Sequence, residues 1–557
     1  MADFTGGELV ARVLKQAGVG HVFTLCGGHI LPIYDGCLKE GIGVIDVRHE
    51  QAAAHAADAY ARLTRNVGVA IVTAGPGVTD AVTGVANAYA ARSPLLLIGG
   101  AAPLGLRGLG ALQEMEQVAL LRPITKGSWS VAETRQIPEV LTTAIRVALS
   151  GRPGPVFVEI PVDLLLNSME DRLAPIPTGY VHRAPGGGDP ASIERLAALL
   201  GAAARPMVMA GSGVWWDDAA GPLRAFAEAA GVPVFLNGAG RGCLPAEHPL
   251  AFSLARGFAL GQADVVLVLG TPLDFRLGYG RPPVFAEDAT VCMVDCDAAE
   301  LGRNRPLAVG IAGHLGRVLE TLTAAVPPGL GGRFADWRAR VSGRERESRD
   351  RLDAQCATDD VPISHYRWAA EIARHVTPET IVVGDGGDVV GCASRVVRLH
   401  RPGQWLDPGP FGCLGVGPPF AIAAKLLHPD RPVLLVAGDG AFGLNGMELE
   451  TAVRFRLPMT CIIGNDGGWA RSATRSCRSS ARSARSRRRC PPRGSTSWSR
   501  RWAGGASSCA TPRTSGRRSC VRSRRTTCGA STCSSIRRRT GRVAKRRWRS
   551  ERGRGAR

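Results

Sequence analysis

Two short turns carry the residue types best suited to chemistry. "VLLVAGDGAFG" sets Gly438, Asp439 and Gly440 at the end of an apolar run, and "TCIIGNDG" sets Asn465, Asp466 and Gly467 at the end of another. Asn465 follows Asp439 by 26 positions. A carboxylate, an amide oxygen and a backbone carbonyl are hard donors, suited to an octahedral Mg2+ that also holds a diphosphate. Glycines beside them let backbone N–H groups approach phosphate oxygens. Either turn alone reads as an ordinary loop. Their pairing matters, because ligands of an open parallel sheet gather beyond the carboxyl ends of its strands.

A third chemical group lies near the start of the chain. Glu50 sits where the strand-like "GVIDVRH" gives way to the alanine-rich "QAAAHAADAYARL", a dry setting that raises a carboxyl pKa. Gly27, Gly28 and His29 follow the apolar run "HVFTL", where His29 could polarise a substrate carbonyl. Asp295 closes the strand-like "TVCMVD" in the middle of the chain and is placed to take a ribose.

Positioning these groups requires parallel sheets. Residues 1–165 alternate short apolar strands ("VGVAIV", "SPLLLIGG", "GPVFVEIPVD") with helix-period segments, the pattern of a sheet covered on both faces. Residues 166–190 are rich in Pro and Gly and read as a linker. The same α/β grammar returns over 191–330, and a charged exposed helix ("RARVSGRERESRDR") follows. A third α/β unit runs over 361–469 from "ETIVVGDGGD" to the Asn465 turn. The fold class expected is α/β, with three doubly wound parallel-sheet domains.

Charge is distributed unevenly. The chain of 557 residues has a net charge of +21. Residues 470–557 hold 28 Lys and Arg against one acid, Glu551, leaving 41 basic and 47 acidic residues before them. The body is therefore mildly acidic, like an ordinary enzyme, and excludes a nucleic-acid-binding surface of its own. Nine cysteines scattered over 1–469 lack metal-site spacing and read as buried thiols. "MADFTGGELV" carries no targeting pattern, and no run is long enough to span a bilayer, so a cytoplasmic protein is expected.

The Gly-Asp-Gly turn, the spacing and the Asn-Asp turn together resemble the fingerprint of thiamine-diphosphate-dependent enzymes. "DVRHEQAAAHAADAYAR", "TAGPGVTDAVTGVANAYAARSPLLLIGG", "VDCDAAELGRNRP" and "QWLDPGPFGCLGVG" are similar to further segments of that family, in the same order. Within it, the chain most resembles the acetohydroxyacid synthase group and its acetolactate-synthase-like 2-hydroxyacyl-CoA lyases. The resemblance implies a pyrimidine-binding, a central and a diphosphate-binding domain, with thiamine diphosphate and Mg2+ as cofactors. It implies that Glu50 faces the aminopyrimidine and favours the tautomer that takes the thiazolium proton. Gln113 would lie near the substrate. Gly27, Gly28, Gly75, Pro76, Gly77, Cys413, Leu414, Gly438, Gly440 and Ala441 would line the cofactor, Leu414 bending it, while Asp439, Asn465 and Gly467 would hold the metal. Relatives carry FAD, the ADP part of CoA, or nothing in the central domain, and these alternatives stay open. Substrates implied are a 2-keto acid, or a 2-hydroxyacyl-CoA and its aldehyde. The assembly implied is a homodimer or homotetramer, each site taking Glu50 from one subunit and the metal turns from the other.

The same resemblance makes residues 470–557 anomalous. Family members continue beyond the Asn-Asp turn with further helices and strands, whereas here Arg, Ser and Cys follow Trp469 without a hydrophobic period. Such a composition is what a GC-rich gene yields out of frame. The expectation is a frameshift near codon 470, an incomplete diphosphate domain and a disordered basic tail, because so little apolar surface cannot offset chain entropy.

Overall fold

A computed structural model describes residues 3–181 and 186–466. The expected tail and Gly467 lie outside the described residues. Three parallel sheets are present, with helices on both faces, as the apolar strand runs imply.

The first sheet has six strands in the spatial order Gly43–Asp46, His21–Thr24, Gly68–Val72, Leu95–Ala101, Val156–Pro161 and Ser128–Ser130. Strand order reverses between His21–Thr24 and Gly68–Val72, so a crevice opens beyond their carboxyl ends. The segment read as a linker begins with structure: Ser168–Glu170 pairs antiparallel with Asp3–Thr5 and ties off this domain. Alternating "SME" gave too few residues to register as a strand, and its partner lies more than 160 positions away.

In the central sheet the order is Ala251–Phe252, Val234–Leu236, Pro206–Ala210, Val265–Leu269, Thr290–Asp295 and Val309–Ala312. This is the doubly wound order of dinucleotide-binding folds. The third sheet runs Trp405–Leu406, Ile381–Asp385, Val433–Gly438 and Thr460–Gly464. The charged helix expected after the central domain spans Ala335–Cys356, burying only Trp337, Val341 and Leu352.

One core serves both outer sheets. Phe23, Val72 and Leu97 of the first pack in the same cluster as Val383 and Leu435 of the third and Phe420 of the helix Gly417–Leu427. Between them runs the helix Glu50–Thr64, whose seven alanines are all fully buried. A Cβ on Gly68 would stand 1.9 Å from the Ala57 carbonyl oxygen, and one on Gly84 would stand 2.5 Å from the Ala54 Cβ. Small side chains are therefore what allow this helix to lie so close to its neighbours.

Its polar groups are paired in the interior. Asp58, fully buried, accepts from Arg62 Nε and Nη2, both at 2.7 Å, and from Asn87 Nδ2 at 3.0 Å. Arg62 Nη1 reaches on to the Asp407 carbonyl at 2.6 Å, joining the two domains. Asp58→Ala would strand the buried guanidinium, so it should cost about 3–5 kcal/mol. Denaturant unfolding of the variant checks this, and a loss below 1 kcal/mol contradicts it.

Candidate active site

Beyond the switch point of the first sheet, Thr73 is the hub. It follows strand Gly68–Val72 directly, and its hydroxyl donates to Gln113 Oε1 at 3.3 Å. With that proton committed, Thr73 Oγ1 accepts from His29 Nδ1 at 3.1 Å, leaving Nε2 of His29 as the basic nitrogen. Burial lowers the His29 pKa, so the ring is neutral at neutral pH. His29 and Gln113 thus share Thr73 as a common partner.

Glycines make room around this hub. A Cβ on Gly27 would sit 2.3 Å from the Thr73 Cβ, and one on Gly77 would sit 2.9 Å from the Thr73 Cγ2 and 3.4 Å from Glu50 Oε1. Gly75 adopts φ 59, ψ −107, which a side chain disfavours, and its Cβ would collide with Gln113. Pro76 then opens the helix Pro76–Ala91, while Gly28 is exposed with open space around it. Sequence reasoning missed the residue that fixes this loop. Gln117, buried, accepts from the Gly75 N–H at 2.8 Å and donates to Gly100 O at 3.0 Å and to Glu159 Oε2 at 2.8 Å. It lies four positions after Gln113, in "QEMEQ".

Glu50 is the first residue of the helix Glu50–Thr64, behind an N-cap from His49 Nδ1 to the Gln51 N–H at 3.1 Å. Only 8% of it is exposed, and burial, then the nearby Asp80 carboxylate, raises its pKa. The dry setting expected from the alanine run is present. A carboxyl raised in this way holds its proton to higher pH and can share it with a nitrogen base.

The third sheet brings the two turns together. Strands Val433–Gly438 and Thr460–Gly464 pair in parallel with Gly438 opposite Gly464. Asp439, opening the helix Asp439–Asn445, and Asn465 are therefore the next residues on adjacent strand ends. Gly440 lies in the same first turn, and Ala441 is buried beneath it.

Asp385 builds the neighbouring wall. It ends the strand Ile381–Asp385, fully buried, and accepts from the Gly415 N–H at 3.2 Å and the Gly417 N–H at 2.8 Å. These bonds fix the loop bearing Cys413 and Leu414, both half-buried. Cys413 Sγ lies 3.8 Å from Nε2 of the buried His55, with the thiol pushed up to about 11 and the imidazole down to about 4 by burial, so both are neutral.

In the central domain Asp295 is almost wholly buried, and its carboxylate is engaged. Arg92 of the first domain donates to it at 3.1 Å, and the Asp297 N–H at 3.0 Å. Arg92 also meets Glu300 at 3.3 Å. Asp295, expected as a ribose partner, is engaged here in an interdomain ion pair, which no local sequence pattern encodes.

The residues present fit a metal-bound diphosphate coenzyme. Asp439 and Asn465 offer a carboxylate and an amide oxygen on adjacent strand ends, the donor chemistry of Mg2+. Gly386, at φ 124, keeps the space beside Gly438 clear, where a Cβ would stand 3.2 Å from the Gly438 nitrogen. Three α/β domains, a buried acid at one strand end and a glycine-bordered oxygen pair at another define a class of coenzyme-dependent enzymes.

Comparison with known proteins names that class. Residues 4–120 match the family described as "Thiamine pyrophosphate enzyme, N-terminal TPP binding domain", 193–322 its central domain, and 385–489 its C-terminal TPP binding domain. A probable acetolactate synthase of Mycobacterium bovis is 42% identical over 468 residues, covering 83% of each chain. The 2-hydroxyacyl-CoA lyase 2 of Homo sapiens is 39% identical over 507 residues, covering 83% of this chain and 79% of its own. That of Caenorhabditis elegans is 38% identical over 507 residues. The chain belongs to the thiamine pyrophosphate enzyme family and is a thiamine-diphosphate-dependent enzyme.

The carboxyl of Asp385 is pushed up to about 6 by burial, against 3.8 for the ordinary group. The folded state therefore binds this proton more tightly than the unfolded chain. Its stabilising contribution is full below about pH 4 and is lost as pH rises through about 6, a change of about 3 kcal/mol. Denaturant midpoints between pH 4 and 7 should fall more steeply for the native chain than for Asp385→Asn. Equal slopes contradict the assignment.

Proposed function

We propose that the chain makes or breaks a carbon–carbon bond beside a carbonyl, cleaving a 2-hydroxyacyl-CoA into an aldehyde and formyl-CoA. The observation that carries this reading is the register of Gly438 against Gly464, which aligns Asp439 and Asn465 as a Mg2+ cradle. When bound, thiamine diphosphate would supply a nucleophilic carbon and an electron sink for the carbanion that bond cleavage generates as the aldehyde leaves. Asp439, Asn465 and, as the family resemblance implies, Gly467 would hold the metal, with Gly438, Gly440 and Ala441 at the diphosphate. Glu50 would keep a proton for the aminopyrimidine, and Leu414 would bend the cofactor. His29, with its lone pair at Nε2, would accept from a substrate hydroxyl, and the Gln113 amide N–H would donate to the substrate carbonyl, both side chains being held by Thr73. The loop Gly75, Pro76 and Gly77, set by Gln117, and the pair Gly27 and Gly28 complete the wall.

Pyruvate condensation to acetolactate is the second reading, favoured by the 42% identity to the mycobacterial acetolactate synthase. Glu50 and the metal turns would come from different subunits, so the active form is a homodimer or homotetramer. In the central domain the alternatives are a flavin, the ADP part of CoA, or no ligand. The partners are small molecules, not nucleic acid, and the compartment proposed is the cytoplasm; among the described residues no helix is long and apolar enough to cross a membrane. Residues 470–557 are read as the product of a frameshift. Translating the gene in its two other frames should restore β/α-patterned sequence after codon 470, and finding none in either sinks that reading.

Calorimetric titration with thiamine diphosphate in Mg2+ tests the site. Glu50→Gln and Asp439→Asn should each weaken binding by at least tenfold, and unchanged affinity in both contradicts it. Release of formyl-CoA from a 2-hydroxyacyl-CoA supports the first reaction, and acetolactate from pyruvate the second.

A further inference from the structure

Between the strand that ends at Asp46 and the helix that begins at Glu50, the chain is held from another domain. Glu448, 1% exposed, accepts the Arg48 backbone N–H on Oε1 at 2.9 Å, and its Oε2 accepts from the Thr451 hydroxyl at 2.7 Å. Arg48 Nε donates to Glu450 Oε2 at 2.6 Å. Arg454 donates to the Asp46 carbonyl at 2.5 Å and to its carboxylate at 3.3 Å. Three side chains of the single helix Glu448–Arg454 thus grip Asp46 and Arg48.

These contacts are unequal in consequence. Glu450 and Arg454 are about a third exposed, where ion pairs contribute little. The Glu448 bond is part-buried, with the Glu448 side chain itself almost wholly enclosed, and it satisfies an N–H that neither the ended strand nor the new helix can use. Helix bonding resumes only at the Ala52 N–H, which donates to the His49 carbonyl at 2.9 Å. Glu448 is therefore the main restraint on the backbone two residues before Glu50. It stands nine positions after Asp439, so one short stretch bears both a metal ligand and this restraint.

We propose that Glu448 is a positioning residue for Glu50, acting through the Arg48 peptide to fix where the acid meets the coenzyme. The inference rests on the reading of Glu50 given above. Hydrogen–deuterium exchange of residues 47–53 in the full chain, with thiamine diphosphate affinity in Mg2+, tests it. Glu448→Ala should speed exchange there by at least tenfold and weaken coenzyme binding, whereas Glu448→Gln, which keeps the acceptor, should stay within twofold on both. The double variant with Glu50→Gln should bind no more weakly than Glu50→Gln alone, since coupled residues are non-additive. Should Glu448→Ala fail to fold, Thr451→Val, which releases the other carboxylate oxygen, enters the same cycle. Unchanged exchange, or losses that add, overturn this inference alone. Unchanged affinity in Glu50→Gln overturns the reading of the acid, and the inference falls with it.

Discussion

Close packing of one alanine-rich helix is the constraint on which the rest depends. Glu50–Thr64 is wedged between the first sheet and the third domain's helix Gly417–Leu427, packing through side chains of a single carbon. A larger residue on that face would overpack the contact and force the two domains apart. Because the helix is rigidly held, the acid at its first position has a fixed place, and so have the loops that surround it. Asp58 and Arg62 on the same helix convert the wedge into a directional joint, since a bidentate pair tolerates little rotation.

Around this strut, the site is assembled by carboxyl ends of parallel strands. Each sheet contributes turns on one side only, because every crossover returns behind the sheet. His29, Thr73 and Gln113 meet at the first sheet, and Asp439 and Asn465 at the third. Buried polar residues then set the loops in place: Gln117 for Gly75, Asp385 for Gly415 and Gly417, Glu448 for Arg48. Each is a side chain satisfying a backbone N–H that has left regular structure.

Most of the fold was legible, because continuous apolar runs between glycine turns specify parallel strands with little ambiguity. The site was legible where chemistry is local. Asp439 with Asn465, and Glu50 before its alanines, announce themselves by spacing and neighbours. What stayed hidden is long-range. Asp385 stood in the quoted "GDGGD" and Gln117 in "QEMEQ", yet nothing nearby shows that their partners are 30 and 42 residues away. The ion pair of Asp295 was hidden for the same reason: its partner Arg92 is 203 positions distant. Ser168–Glu170 pairs with the start of the chain, and so looked like part of a linker.

A crystal structure with thiamine diphosphate and Mg2+ tests the central claim most directly. The account predicts Asp439 and Asn465 oxygens within about 2.1 Å of the metal, and a Glu50 carboxyl in hydrogen-bond reach of the pyrimidine of the same coenzyme molecule. A bound coenzyme that touches the metal turns while every Glu50 lies beyond reach of its pyrimidine would contradict it.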